Sequence, residues 1–379
     1  MSDSTLHLLH KLIATNSINP TLAPGAPGEA AIAQVIAGEM RAIGMKVEIE
    51  EAAPGRPNVV GILEGKVPGR SLLFCGHIDT VGVTGMKAPF DPIEKDGKLY
   101  GRGSQDMKGG VAAMIGAARK LAETGGLPAG RLIIAAVADE EYASLGAQAL
   151  VKKWQADAAV VTEPTDLLIG IGHKGFVWIE IEVKGRAAHG SRPGEGRDAI
   201  FRMGRVLARL EKLDRDLQKK PAHVILGTGS LHASIINGGR ELSVYPDYCS
   251  LQIERRTIGG ENGATVMKEV EEILETLRAE DSEFEASAKL MFERSSYEIS
   301  ADHELPSLLG QALQPLGKPA PRGGLTFWTD AAILGEAGIP TVIFGPGGAG
   351  LHSVEEYVKI DEVMACRDAL AGLARLFCG

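Results

Sequence analysis

The hydrophobic rhythm of this chain changes twice, and the change sets its fold. Up to about Lys174, short apolar runs alternate with stretches of helical period. GEAAIAQVIAGEMRAIG, VAAMIGAARKLAE and SLGAQALVKKW read as helices, while SLLFC (71–75), RLIIAAVA and AAVV read as buried strands. Apolar strands alternating with helices predict a mostly parallel sheet covered on both faces. From Gly175 the style differs. FVWIEIEVKG alternates apolar and polar residues, as a half-solvated antiparallel strand does. The order that follows is helix, two strand-like stretches, helix and a last strand, a β-α-β-β-α-β series that predicts a compact, ferredoxin-like α+β insert. After about Phe292 the first style returns, with TVIFG as an apolar strand between helices. The expected architecture is one α/β domain built from residues 1–174 and 293–379, interrupted by a smaller domain over 175–292.

At 379 residues the chain can bury two such cores. A net charge of −9 argues against non-specific binding to nucleic acid or anionic membrane, which needs a basic face. No run of about 18 apolar residues is present, so no membrane span is expected. Nor does the N-terminus carry a basic region, apolar run and small-residue cleavage site. Four cysteines without a CxxC pair imply neither a disulfide framework nor a thiolate zinc site. A cytoplasmic protein is the expectation.

In an open parallel sheet, ligands bind beyond the carboxyl ends of the strands. After SLLFC come His77 and Asp79. After RLIIAAVA come Asp139, Glu140 and Glu141, after AAVV comes Glu163, and after TVIFG comes GPGGAGLHS with His352. Asp106 lies in the Gly-rich loop YGRGSQDMKGG, just before a helix. Carboxylates crowded at one sheet edge repel and resist burial unless a cation joins them. Two imidazoles with carboxylates and no thiolate suit zinc, cobalt or manganese rather than calcium or magnesium. The donors suffice for two ions, with one carboxylate bridging ions about 3.5 Å apart. Asp79 is two residues beyond His77, so on an extended chain it faces the same way and can orient the imidazole. Glu140 and Glu141 diverge; Glu141 is assigned to metal and Glu140 to general base, with Asp139 a rival for either role.

GHIDTV (76–81), GRGSQDMKGG (101–110), ADEEYASLGA (138–147), TEP (162–164) and GPGGAGLHS (345–353) resemble the M20 metallopeptidase family. That family includes acetylornithine deacetylase, succinyl-diaminopimelate desuccinylase, aminoacylase and the glutamate carboxypeptidases. The resemblance extends over nearly the whole chain, including SINP near the start and the insert. It implies two zinc ions. His77, Asp106 and Glu163 would hold one, and Asp106, Glu141 and His352 the other, so that Asp106 bridges. It also implies that the insert forms a homodimer interface. His189 in GRAAHGSRP would reach the partner's active site and stabilise an oxyanion. Asn237 in SIINGG and Arg256 in ERRTIGG match positions that touch substrate, the Arg suited to a carboxylate. Gly259 stands where relatives have Pro, and Arg255 is an immediate rival of Arg256. Phe327 and Trp328 replace small residues before Thr329-Asp330, and Trp328 is a candidate wall of an acyl or side-chain pocket. The implied reaction is hydrolysis of the amide of an N-acyl amino acid. A dipeptidase or carboxypeptidase is the alternative on the same scaffold, and a non-catalytic metal-binding protein is disfavoured by the presence of Glu140.

Overall fold

The computed structural model describes residues 3–379, which form two compact units. The first comprises residues up to Ile171, Ile299–Gly323 and Thr329–Gly379; the second comprises Gly172–Glu298 and Gly324–Trp328.

In the first unit the sheet runs in the order Lys46–Ala53, Arg56–Glu64, Arg131–Val137, Ser71–His77, Ala158–Val161, Thr341–Ile343, Ile169–His173. The centre is parallel, from Arg131–Val137 through Ser71–His77 and Ala158–Val161 to Thr341–Ile343. Antiparallel strands flank it on both sides. The mixed α/β fold with a largely parallel centre is the one expected from the alternating runs. Ser71–His77 is buried along its whole length, as a strand covered on both faces must be. Helices Ser4–Ala14, Ala30–Ile43, Gly109–Glu123 and Ile360–Cys378 pack with one another, and Leu145–Lys153 packs with Ala331–Glu336. The hairpin Lys46–Ala53/Arg56–Glu64 is an addition to the sequence reading. Every position of its outer strand is exposed or half-buried, as at a sheet edge. A small separate sheet joins Gly348–Ala349, Tyr357–Lys359, Lys98–Tyr100 and Ile93–Lys95.

The second unit is a four-stranded antiparallel sheet in the order Ser230–Gly238, Tyr248–Thr257, Gly175–Lys184, Glu285–Arg294. Gly175–Lys184 alternates strictly: Val177, Ile179, Ile181 and Val183 are buried. They meet Met203, Val206 and Leu210 from helix Ala199–Lys219 and Val266, Val270 and Leu274 from helix Gly263–Glu280. This is the ferredoxin-like order and connectivity. Among the described residues no helix is long and apolar enough to cross a membrane.

Candidate metal centre

Because the central strands are parallel, their carboxyl ends emerge together. Cys75 and Ile343 are both opposite Val161, and His77 is opposite Val137. The residues just beyond those ends therefore converge. Asp106 arrives from the other direction, in the turn before helix Gly109–Glu123. Gly110 lets that helix approach, since a Cβ there would stand 1.9 Å from the Thr162 carbonyl oxygen. The Asp106–Met107 peptide is cis.

The result is two trios of donors that share one carboxylate. His77, Asp106 and Glu163 offer ligand atoms within 4.8 Å of one another, and so do Asp106, Glu141 and His352. The two oxygens of Asp106 divide between the imidazoles. Oδ1 lies 3.1 Å from His77 Nε2, and Oδ2 lies 3.3 Å from His352 Nε2. Glu163 Oε1 is 3.7 Å from His77 Nε2, and Glu141 Oε2 is 3.0 Å from His352 Nε2. Glu140 belongs to neither trio; its Oε2 sits 4.0 Å from His77 Nε2.

Electrostatics follow from this crowding. Burial pushes the Glu163 carboxyl well above its ordinary value, and the Asp106 charge adds to the push. Glu140 is raised in the same way, by burial and then by the charges of Glu163 and Asp330. Burial, with Asp106 nearby, raises Glu141 to about 7. Burial alone would raise Asp106, but hydrogen bonds from His352 and His77 outweigh it and hold this carboxyl well below the usual range. Those with Asp106 and Glu141 lift His352 to about 10. For His77, burial opposes the charge, yet Glu163 and Asp106 hold the imidazole well above its ordinary value. The protein alone thus gathers protons to offset its own carboxylates, and a cation would displace them. The donor set, imidazoles and carboxylates without a thiolate, fits divalent cations. Glu141 Oε1 is moreover buried with no hydrogen-bond partner among the described residues.

Behind His77 stands a network that sequence reading found only in part. His77 Nδ1 is 3.0 Å from the Asp79 backbone oxygen and 3.5 Å from its Oδ1, so carbonyl and carboxylate both face the ring nitrogen. The Asp79 carboxylate also accepts from the backbone N–H of Glu140 and of Glu141 and from Asn19 Nδ2, the last at 2.7 Å. Asn19 donates in addition to Asp139, which accepts from Arg56, whose guanidinium makes two 2.6 Å bonds to Glu29. Asp139, the rival for a metal or base role, is turned to Arg56 and Asn19. Three further residues were not singled out from sequence: Asn19 within SINP, Asp330 beside the Glu140 and Glu163 charges, and Glu356 behind Asp106. Glu29 and Arg56 are both buried, and their mutual bonds are what makes that burial tolerable.

The remaining candidates lie in the second unit. His189 is exposed, in an isolated antiparallel bridge with Val244, its Nδ1 2.8 Å from Ser191 Oγ. Asn237 is exposed on the edge strand Ser230–Gly238. Arg255 is fully buried and tied to Glu261 and Glu269, whereas Arg256 stands on the sheet's other face, bonded to Glu254 with its guanidinium 5.4 Å from the Phe176 ring centre. The two rivals therefore differ in availability: only Arg256 is part-exposed. Trp328 donates its indole N–H to Ser295 O at 3.1 Å and meets His173 and Phe176 edge-on.

Residues 73–376 match the family model described as Peptidase family M20/M25/M40. The chain belongs to this family. It is an amide-bond hydrolase of the M20 type. It is 33% identical over 350 residues to an acetylornithine deacetylase of Myxococcus xanthus, spanning 87% of each chain. It is 31% identical over 377 residues to the N-formyl-4-amino-5-aminomethyl-2-methylpyrimidine deformylase of Bacillus subtilis (strain 168), spanning 91% of this chain and 88% of the relative. A tripeptidase structure from Staphylococcus aureus subsp. aureus mu50 superposes with a TM-score of 0.81 at 21% identity, covering 98% and 97% of the two chains, a likeness of fold.

Proposed function

We propose that this M20 hydrolase removes the acyl group from an N-acyl amino acid, using two divalent cations held by the two trios. The observation that carries the reading is the division of Asp106 between His77 and His352, which is the arrangement a bridging carboxylate needs. Zinc suits the donors, and cobalt or manganese are expected substitutes. Lewis acidity, which lowers the pKa of a water and draws charge from a carbonyl oxygen, is what divalent cations supply at such a site.

The chain's own residues do the rest. Glu140 is unattached to either trio and buried beside His77, so its carboxylate is free to take a proton from the attacking water. It then returns that proton to the departing nitrogen. Asp79 fixes the His77 ring and, through its bonds to the Glu140 and Glu141 amides, fixes the backbone that presents both carboxylates. Arg256 is the residue suited to the substrate carboxylate, and Asn237 to a further polar contact.

Self-association through the second unit is part of this reading. Strand Ser230–Gly238 is a sheet edge with Ile235 and Ile236 exposed, and Ile200 and Phe201 of the adjoining helix are exposed as well. An unpaired edge with apolar neighbours favours pairing with a second copy. His189 would then act from that copy on the oxygen that gains charge.

The test is a panel of N-acetyl, N-formyl and N-succinyl amino acids against dipeptides, with zinc- and cobalt-loaded protein. At least one N-acyl amino acid should be cleaved with a kcat/KM well above every dipeptide. Dipeptides cleaved faster than all N-acyl amino acids would make the chain a peptidase instead.

A further inference from the structure

Beside the two trios lies a buried carboxylate that the reaction does not use. Glu356 is 1% exposed, and its burial raises its pKa. An isolated charge in such a place is unfavourable, so it needs donors. It has four. Oε2 accepts from Arg102 Nη1 at 2.7 Å and from the Gly103 N–H at 2.9 Å; Oε1 accepts from the Gln105 N–H at 2.9 Å and the Asp106 N–H at 3.0 Å.

The backbone explains why those amides are available. Gly103 has φ 77, and Asp106 and Met107 depart from helical geometry (φ −116, ψ 95 and φ −129, ψ 34). N–H groups in such a turn converge into a concavity suited to an anion. Here the anion is a side chain of the protein itself, and it comes from the segment that carries His352, four residues earlier.

The same two segments are joined further along. Tyr357–Lys359 pairs with Lys98–Tyr100, the Gly101 N–H donates to Glu356 O at 3.1 Å, and Arg102 Nη2 donates to Ser353 O at 2.9 Å. The ladder thus ends at Glu356, and beyond it stand Asp106 on one side and His352 on the other. His352 itself meets Asp106 and Glu141 through its imidazole. Its side chain is 54% exposed and its φ is 57, in the left-handed region that a non-glycine residue adopts only when its surroundings require it.

We propose that Glu356 is a positioning residue that locks the Asp106 turn to the His352 loop and so builds the second cation position, that of Asp106, Glu141 and His352. It touches neither substrate nor cation. It acts by fixing where the Asp106 carboxylate and the His352 imidazole stand relative to one another. The first position, with His77 and Glu163 on strand ends, depends on Glu356 only through Asp106. The inference rests on the two-cation reading above and predicts a selective loss.

The test is cobalt binding to metal-stripped full-length protein, followed by equilibrium dialysis and by the visible absorption of the bound ion, with thermal unfolding of the metal-free form alongside. Wild type should bind two equivalents. Glu356→Gln replaces one acceptor by an amide that faces N–H donors, so its second equivalent should bind at least tenfold more weakly while the first stays tighter than the second by a wider margin than in wild type. Glu355→Gln, the same charge change at the exposed neighbour, should bind as wild type does. Should Glu356→Gln not fold, Arg102→Met keeps the carboxylate and removes its guanidinium and the Ser353 bond, and its second equivalent should weaken in the same direction. Either variant binding both equivalents with wild-type affinity overturns the positioning role and leaves the two-cation reading intact. So does a Glu356→Gln protein whose metal-free form melts much lower while its two affinities fall equally. A wild type that binds no cobalt overturns both.

Discussion

The two ends of the candidate metal centre are built in opposite ways. The His77 end hangs on central strands, with His77 1% exposed and a chain of buried bonds behind it through Asp79, Asn19, Asp139, Arg56 and Glu29. The His352 end hangs on a loop, with the imidazole 54% exposed and its segment joined to the Asp106 turn by Glu356, by the Arg102–Ser353 bond and by the Tyr357–Lys359 ladder. Under the two-cation proposal, the closed end would hold its ion on buried structure and the open end would leave its ion near solvent. The comparison predicts a tight, slowly exchanging cation at the closed end and a weaker one at the open end.

The largest effect should come from the reagent at the closed end. Glu140→Gln should lower kcat by about 10²–10⁴ with bound metal unchanged, as removal of a general base does. Single-turnover kinetics with metal analysis check it, and retention of most activity would reassign the base. Next in size is the support of the closed end. Arg56→Met leaves Glu29 and Asp139 buried without their guanidinium, which should cost about 3–5 kcal/mol in urea unfolding. A cost below about 1 kcal/mol would show that the closed end does not owe its rigidity to this network. Metal itself comes third. Restoring it to metal-stripped protein at about a thousand times Kd should stabilise the fold by about 4 kcal/mol. A melting temperature indifferent to metal would break the view that a cation offsets the crowded carboxylates.

The smallest effect lies away from both ends, where Asp157 fastens the start of strand Ser71–His77. It accepts from the Ser71 N–H and Oγ–H, both at 2.7 Å, and these bonds lower its carboxyl pKa. A lowered folded-state pKa means stability present above the ordinary value of 3.8 and lost as pH falls through the folded value. Asp157→Ala should therefore cost about 1 kcal/mol at neutral pH. The difference from wild type should vanish in acid unfolding as that carboxylate protonates. A difference that persists at low pH would mean the bonds do not depend on the charge.

What could be read from the sequence depended on distance along the chain. His77, Glu141, Glu163 and His352 each follow an apolar run, so strand period and the rule of carboxyl ends bring them to one edge. The alternation in Gly175–Lys184 likewise specifies a sheet with one covered face. Asn19, the Glu29–Arg56 pair and Glu356 obey no such local rule. Asn19 meets Asp79 sixty residues on, and Glu356 meets Gly103 at a separation of 253. Their roles are set by which loops the fold brings together, which periodicity does not encode. Asp139 illustrates the gap: spacing makes it equal to Glu140 and Glu141, and only its bonds to Arg56 and Asn19 separate it from them.

Counting metal equivalents decides whether Asp106 joins a closed and an open cation position. Metal-stripped wild type, His352→Ala and His77→Ala would each be titrated with zinc by equilibrium dialysis and elemental analysis. Wild type should bind two equivalents of unequal affinity, His352→Ala should keep the tight one and lose the weak one, and His77→Ala should lose the tight one. A wild type that binds one equivalent, or a His352→Ala protein that still binds two, would contradict an Asp106 shared by two positions.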